Sequence, residues 1–348
     1  MRNASVPFVT VVVPCRNEAR HLERSLGALT DQDYPADRME IIVVDGLSDD
    51  GSPDIARRIL SNAPQSWDLV QNPERITPTA WNVGIERSRG DVIIVVIAHA
   101  ELAHDYVRQA VAALEETGAD CVGGSIRTVG DDTGLGTGIA LALSSIFGVG
   151  GSTFRTRIGH SGAVDTVPFG AYRRDAFERF GLLDPEFVRN QDTEINFRIT
   201  TNGGRIWMDR RLTSVYHPRS SLAALWRQHF RTGESKVQLF RKYGSLPALR
   251  HYIPGAFVVA VLGSLVAAVA AREPLVALIV LGPYAGALVA CTTWIARRHL
   301  ASWAWVFVAL VTLHFSYGLG FLAGVGKYLR PGRQRVVARP PTPRNARR

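Results

Sequence analysis

The chain has 348 residues, 46% of them hydrophobic and 20% charged, with a formal net charge of +9. This composition excludes disordered and fibrous classes and suits one large domain with a more apolar appendage. The charge is unevenly placed: residues 1–250 carry 29 basic and 30 acidic side chains, net −1, whereas residues 251–348 carry 11 basic side chains and Glu273 as the only acid, net +10. A nucleic-acid-binding fold needs its basic face on the folded part, so a membrane, not a nucleic acid, is the expected partner.

Near the start, Val9 to Val13 is an apolar run closed by Pro14, too short for the core of a signal peptide, so the large domain is expected to stay in the cytoplasm. Three widely separated cysteines (Cys15, Cys121, Cys291) suggest neither a disulfide framework nor a zinc site, and fit a reducing compartment. Short apolar runs over Phe8 to Val13, Glu40 to Val44, Trp67 to Val70 and Asp91 to Ile97 alternate with helical patterns around Glu18 to Leu29, Pro53 to Leu60 and Thr79 to Ser88. That rhythm predicts a doubly wound, mostly parallel sheet, in which ligands sit at the carboxyl ends of the strands.

The residues just after those strands are polar: Pro14-Cys15-Arg16-Asn17-Glu18, the stretch Asp45 to Ser52, and Ala98-His99-Ala100-Glu101. Neither GxGxxG nor GxxxxGK[ST] occurs, so nicotinamide-dinucleotide and P-loop readings lack their glycine cradle. An acid directly after a strand can accept hydrogen bonds from a ribose or a base edge, although Asp45-Gly46 taken alone reads first as a turn. Leu135 to Gly151 is apolar and glycine-rich but only 17 residues long, too short and irregular for a crossing. Both an interfacial helix with a loop and a buried core helix remain open for it.

Three uncharged stretches follow, over 253–271, 275–296 and 303–326, each long enough as a helix for a hydrocarbon core of about 30 Å. Trp294, Trp303, Trp305 and Tyr328 lie at their ends, where amphipathic rings prefer the headgroup level. Three crossings would put the C-terminus opposite the large domain, yet residues 327–348 hold eight basic side chains that the positive-inside rule assigns to the cytoplasm. Either the last stretch is re-entrant, with Gly318, Gly320, Gly324 and Gly326 permitting a bend, or one stretch lies in the interface. The tail, 329–348, is expected to be disordered, serving anionic headgroups or acting only as a topology signal.

Taken together, VVVPCRNE (Val11 to Glu18), VVDGLSDDGS (Val43 to Ser52), TAWNVGIERSRGDVI (Thr79 to Ile93), PFGAYRRDAF (Pro168 to Phe177) and GLLDPEFVRNQDTEINFRI (Gly181 to Ile199) resemble glycosyltransferase family 2 and, within it, the ExoA-type transferases of succinoglycan biosynthesis. The likeness covers about residues 7–245 and extends into the C-terminal spans. It implies an α/β GT-A domain over 1–250, with a donor half over 7–105 and an acceptor half over 106–250, followed by transmembrane helices over 251–328. It also implies an inverting transfer of a hexose from a nucleoside diphosphate sugar, UDP-linked by expectation, to a lipid-linked glycan acceptor, in exopolysaccharide or cell-envelope synthesis at a bacterial plasma membrane. Carried over residue by residue, Pro14, Asn17, Glu18 and Asp45 fall on the donor nucleotide, and Phe169, Gly170, Gln191 and Glu194 on the acceptor side. Asp192 falls on the catalytic base. An acceptor hydroxyl must lose its proton as it attacks, which a carboxylate within hydrogen-bond reach can take. Without the likeness, Asp192 reads equally as the cap of an amphipathic helix, and Glu194 stands in reserve as base.

One departure matters. The family places Asp-x-Asp, or in the ExoA-type group Asp-Ala-His, after the third strand to hold a divalent metal on the donor diphosphate; here the stretch is Ile97-Ala98-His99. His99 can ligate Mn²⁺ or Mg²⁺ with diphosphate oxygens completing the shell, helped by Glu101, or it is an ordinary polar residue and no metal binds. Ile97 also motivates a second reading, a catalytically silent GT-A scaffold in an envelope complex. Arg227 and Arg231, at i and i+4 on one helical face, suit a diphosphate and equally suit a solvated basic collar. The position of the 135–151 segment between the donor half and the Phe169-Gly170 motif suggests, if it is interfacial, that it brings a lipid-linked acceptor to the sheet edge.

Overall fold

The computed structural model describes residues 6–219, 221–246 and 248–329. These residues form two compact units, one of residues 6–127 and 157–216 and one of residues 128–156 and 217–329. The tail expected over 329–348 lies, apart from Leu329, outside the described residues.

The first unit begins with β1 (Val9–Cys15), α1 (Ala19–Thr30), β2 (Met39–Asp45), α2 (Ser52–Leu60), β3 (Ser66–Gln71), α3 (Thr77–Arg87) and β4 (Val92–Val95). The runs of Val and Ile in β1, β2 and β4 are buried along nearly their whole length, as strands covered on both faces must be. β1 pairs in parallel with β2 on one side and with β4 on the other, and β2 pairs in parallel with β3. Gly84 lets α3 approach the sheet closely: a Cβ there would stand 2.2 Å from Val12 Cγ1.

Beyond β4 the sheet changes character. β5 (Ala100–Leu102), α4 (Tyr106–Thr117) and β6 (Cys121–Thr128) lead into a detour through the second unit, made of α5 (Gly134–Leu143), α6 (Ile146–Val149) and α7 (Thr153–Thr156). The chain then returns as β7 (Gly162–Ala163), β8 (Ala171–Arg173), α8 (Arg174–Phe180), α9 (Gln191–Thr201) and β9 (Ile206–Tyr216). Among the described residues the strand order is β3-β2-β1-β4-β8-β6-β9-β5, with β7 also on β9. β8 runs antiparallel to both β4 and β6, and β9 runs antiparallel to β5 and β7. The parallel rhythm of the first hundred residues therefore ends at β4, and the sheet is mixed.

The second unit is helical: α5 to α7, then α10 (Leu222–Tyr243), α11 (Ile253–Ala271), α12 (Leu275–Ala296) and α13 (Trp303–Tyr328). α11, α12 and α13 are long and apolar enough to cross a membrane. The 135–151 stretch is helical in part and packs as core within this unit: Ile139, Ala142 and Leu143 of α5 join Leu225, Leu288, Val306, Ala309, Leu310 and Leu313 in one buried cluster. The glycines of the last span open no bend. α13 is unbroken, and Gly318, Gly320 and Gly324 are small because neighbouring backbone presses on them; a Cβ on Gly320 would stand 2.0 Å from the Phe230 carbonyl oxygen, and one on Gly318 2.4 Å from that of Pro254.

Candidate active site

The site grows from the carboxyl ends of β1, β2 and β4. The chain order places successive strands outward from β1 on one side and then on the other, so the crevice opens between β1 and β4. After β1 the backbone turns sharply at Asn17, whose φ is 55°, a region open to Asn at modest cost. The turn is held from the β2 side. The Asn17 N–H donates to Ser48 Oγ at 3.0 Å, the Asp49 N–H donates to Asn17 Oδ1 at 3.0 Å, and the Gly46 N–H donates to the Cys15 carbonyl at 2.7 Å. Asp45, 4% exposed at the end of β2, accepts from Ser48 Oγ at 2.6 Å and from the Ser48 N–H at 3.1 Å, the bonds of an ordered turn. One step further, the Glu18 N–H donates to Ser52 Oγ at 3.0 Å and the Ala19 N–H to Asp50 Oδ2 at 2.9 Å. Desolvation opposes it, but these hydrogen bonds from Ser52 and Ala19 hold the Asp50 carboxyl below its ordinary range. Burial pushes the Cys15 thiol up to about 12 despite a hydrogen bond from Ser52, so this thiol stays protonated and is no nucleophile.

Across the crevice, His99 Nδ1 lies 3.0 Å from Glu18 Oε1, both side chains being about 15% exposed. This contact joins the loop after β1 to the loop after β4. The His99 ring packs near Tyr216 of β9 and His21 of α1, with ring centroids 5.7 and 6.2 Å away. A carboxylate on one imidazole nitrogen fixes the ring and leaves the other nitrogen for a ligand, an arrangement shared by histidines that hold metals. Among the described residues no group of three His, Cys, Asp or Glu side chains could hold an ion alone. The donor set therefore fits only a cation that takes most of its oxygens from a bound diphosphate and water.

The segment from Pro168 to Arg173 abuts β4 through β8. Phe169 adopts φ 46°, and its carbonyl accepts from the buried Tyr106 hydroxyl at 2.8 Å; the Gly170 carbonyl accepts from the Val95 N–H at 3.1 Å. A side chain on Gly170 would meet Cys121 Sγ at 2.7 Å. On the next strand residue but one, the Tyr172 hydroxyl donates to Asn196 Oδ1 of α9 at 2.9 Å, and Asn196 Nδ2 donates to Thr166 Oγ1 at 2.9 Å. This anchors one face of α9. Asp192 lies one turn before Asn196 and so shares that face. Burial drives the Tyr172 phenol well above its ordinary value, with Cys121 and the Asp192 charge adding to the rise. The cap position of α9 is Asn190, in the left-handed region at φ 58°, so Asp192 is not the cap; it stands in the first turn, half-buried, accepting from the Thr193 N–H at 2.8 Å. A carboxylate there is favoured by the helix dipole. Gln191 is half-buried beside it.

Glu194 is placed differently. It is 0% exposed and pairs with Arg198 at 2.9 Å, while Arg198 also donates to the Phe180 and Leu182 carbonyls. This pair ties α9 to the end of α8. Arg227 and Arg231 are exposed on α10, in the helical unit. Ser48, Asp50 and Ser52 stand out in the sequence only as part of the polar Asp45 to Ser52 stretch, although such crowding of short polar residues after β2 is the mark of side chains that bond to nearby backbone.

Residues 10–181 match the family described as "Glycosyl transferase family 2". The chain is 32% identical over 315 residues, 89% of its length, to the succinoglycan biosynthesis protein ExoA of Rhizobium meliloti, covering 93% of that protein. It is 27% identical over 68% of its length to a Methanococcus voltae dolichyl N-acetyl-alpha-D-glucosaminyl phosphate 3-beta-D-2,3-diacetamido-2,3-dideoxy-beta-D-glucuronosyltransferase, covering 74% of that protein. Among solved structures, the mannosyltransferase PcManGT from Pyrobaculum calidifontis, in complex with GDP-Man and Mn²⁺, superimposes with a TM-score of 0.63 at 24% identity, over 89% of this chain and 88% of that one. The fold and its strand-end crevice thus define a GT-A transferase with C-terminal apolar helices. The chain belongs to glycosyl transferase family 2, and is a glycosyltransferase.

Proposed function

We propose that the protein is a membrane-bound inverting glycosyltransferase that moves a hexose from a nucleoside diphosphate sugar, UDP-linked, to a lipid-linked glycan on the cytoplasmic face of a bacterial plasma membrane, in polysaccharide synthesis. The observation that carries this reading is the Glu18 to His99 contact over the gap between β1 and β4, flanked by the Asn17, Asp45 and Ser48 loop. The similarity to ExoA over nearly the whole chain supports the polysaccharide context. In this reading Pro14, Asn17, Glu18 and Asp45 take the base and ribose, Arg227 and Arg231 neutralise diphosphate charge, and Phe169, Gly170 and Gln191 border the acceptor. Glu194 acts behind them by fixing the α9 entry through Arg198.

Asp192 accepts the acceptor hydroxyl's proton as that oxygen attacks the anomeric carbon and the nucleoside diphosphate leaves from the opposite face. The leaving diphosphate gains negative charge, which a divalent cation held in part by His99 would offset when bound. Mn²⁺ or Mg²⁺ would fit that place only with the diphosphate bound, since among the described residues no group of three His, Cys, Asp or Glu side chains could hold the ion.

The test is transfer from radiolabelled UDP-sugars to lipid extracts in purified membranes, with the product's anomeric configuration read by NMR. A product with inverted configuration supports the proposal. UDP binding without transfer or hydrolysis, with or without Mn²⁺, would instead favour a silent scaffold, the reading that Ile97 motivates.

A further inference from the structure

We infer that only α11 and α12 cross the bilayer, as a hairpin, and that α13 lies along the interface as a strut between α5 and α10, so that the chain leaves α13 on the side where α10 began.

The exposed faces differ in kind. On α11, Val259, Leu262, Leu265, Val266 and Val269 are exposed, and on α12 Leu275, Leu278, Ile279, Val289 and Trp294 are exposed. Neither helix carries a charge from end to end, so lipid tails are the solvent that these faces fit. α13 has no comparable face: from Ala309 to Leu322 no residue is exposed.

The partners that cover α13 cannot both be at membrane depth. Its N-terminal part carries α5, where Cβ atoms on Gly134 and Gly138 would meet Trp305 at 3.0 and 2.5 Å. Its C-terminal part carries α10: Gly233 presses on the Tyr317 carbonyl, Gly320 on that of Phe230 and Gly324 on that of Glu234, and Lys327 Nζ pairs with Glu234 Oε1 at 2.6 Å. Trp305 and Lys327 are 22 residues apart, about 33 Å along a helix, which is the thickness of a hydrocarbon core. An upright α13 would hold α5 at one face of the membrane and run α10, whose Leu225 shares the buried cluster of α5, through the bilayer toward the other. Neither helix fits that arrangement. α5 has 10 residues, about 15 Å, and the segment holding it begins and ends in strands of one sheet, which cannot straddle a bilayer. α10 starts soon after β9 of the same sheet and carries Arg227, Arg231, Glu234, Lys236, Arg241 and Lys242. Both ends of α13 therefore belong at one level.

Charge placement agrees. With two crossings, the six basic side chains between residues 222 and 252, Arg297, Arg298 and the eight from Lys327 onward share one side, and only Arg272, beside Glu273, is on the other. With three, the eight basic side chains from Lys327 onward would join Arg272. The hairpin reading removes the conflict between span count and tail charge, and it holds whether or not the active-site assignments above are right.

The experiment uses the full chain in bacterial cells. C-terminal fusions to green fluorescent protein and to alkaline phosphatase report the side of the tail, and Glu273→Cys in a Cys291→Ser background reports the hairpin tip. The expected result is a fluorescent fusion, an inactive phosphatase, and labelling of Cys at 273 by an impermeant maleimide in intact cells. An active phosphatase with a dark fluorescent fusion would establish three crossings and overturn the inference. Labelling of position 273 only after permeabilisation would overturn it as well, because the hairpin would then not cross.

Discussion

Replacing Asp192 by Asn tests the proton-transfer role with little structural disturbance. The amide keeps the size of the side chain and the Oδ1 that accepts from the Thr193 N–H at 2.8 Å, and α9 stays anchored by Asn196 and by the buried Ile195, Phe197 and Ile199. What is lost is a group able to take a proton. A positioned general base contributes about 10²- to 10⁴-fold, so kcat should fall by that factor, or about 3–5 kcal/mol in barrier height. Asp192 stands on α9, whereas the groups proposed for the donor nucleotide stand at the carboxyl ends of β1 and β2 and just beyond β1 and β4. The KM for nucleotide sugar and the calorimetric Kd for UDP should therefore change by no more than about twofold. Radiolabelled transfer gives the first quantity and titration of UDP into purified protein the second. If the variant kept more than about a third of native kcat, or if Kd weakened in step with kcat, Asp192 would be no base and the orientation argued for α9 would be wrong.

Four further outcomes are expected. His99→Ala should cost about 10- to 100-fold in UDP affinity when Mn²⁺ is present and little when it is chelated; equal loss in both conditions would remove the cation from the reading. Ile146→Ser, at an exposed position of α6, should lower turnover of lipid-linked acceptor and spare donor hydrolysis, and a parallel loss of both would deny that helix an acceptor role. Gly84→Ala forces a Cβ to within 2.2 Å of Val12 Cγ1 and should destabilise by about 1–3 kcal/mol, seen as a thermal midpoint several degrees lower. Burial, reinforced by the Arg155 charge, pushes the His229 imidazole of α10 down to about 4 from 6.5. The unfolded chain then takes up a proton between pH 6.5 and 4 that the folded chain refuses, so stability is full above pH 6.5 and falls toward pH 4, by at most about 3 kcal/mol. His229→Gln should flatten that limb in thermal melts in detergent, and an unchanged limb would place the titration elsewhere.

The centre of the first half of the sheet and the three apolar helices were legible because each element there is set by its own residues: Val and Ile runs in β1, β2 and β4, and stretches without charge in α11, α12 and α13. The antiparallel half was not, because β5, β7 and β8 are two or three residues long and are made strands by their neighbours, not by any pattern of their own. At the site, strand-end polarity pointed to Asn17, Asp45 and His99, but the Glu18 to His99 contact joins residues 81 apart and no local spacing announces it. Asp192 looked like a helix cap because the left-handed turn at Asn190, which sets the true start, leaves little trace in a string of polar residues. The glycines of α13 invited a hinge; only the α10 and α11 backbones lying against them show that they serve close packing.

The detour between β6 and β7 sets a timing problem for biosynthesis. α5 ends at Leu143 and the helix it leans on begins at Trp303, so about 160 residues must be made between them. At 5–20 residues per second that is about 8–32 s in which Ile139, Ala142 and Leu143 have no protein neighbour from α13. A shortened chain ending before residue 250, the obvious choice for a soluble catalytic fragment, makes that wait permanent. Such a fragment should aggregate unless α5 is excised or rewritten with polar side chains.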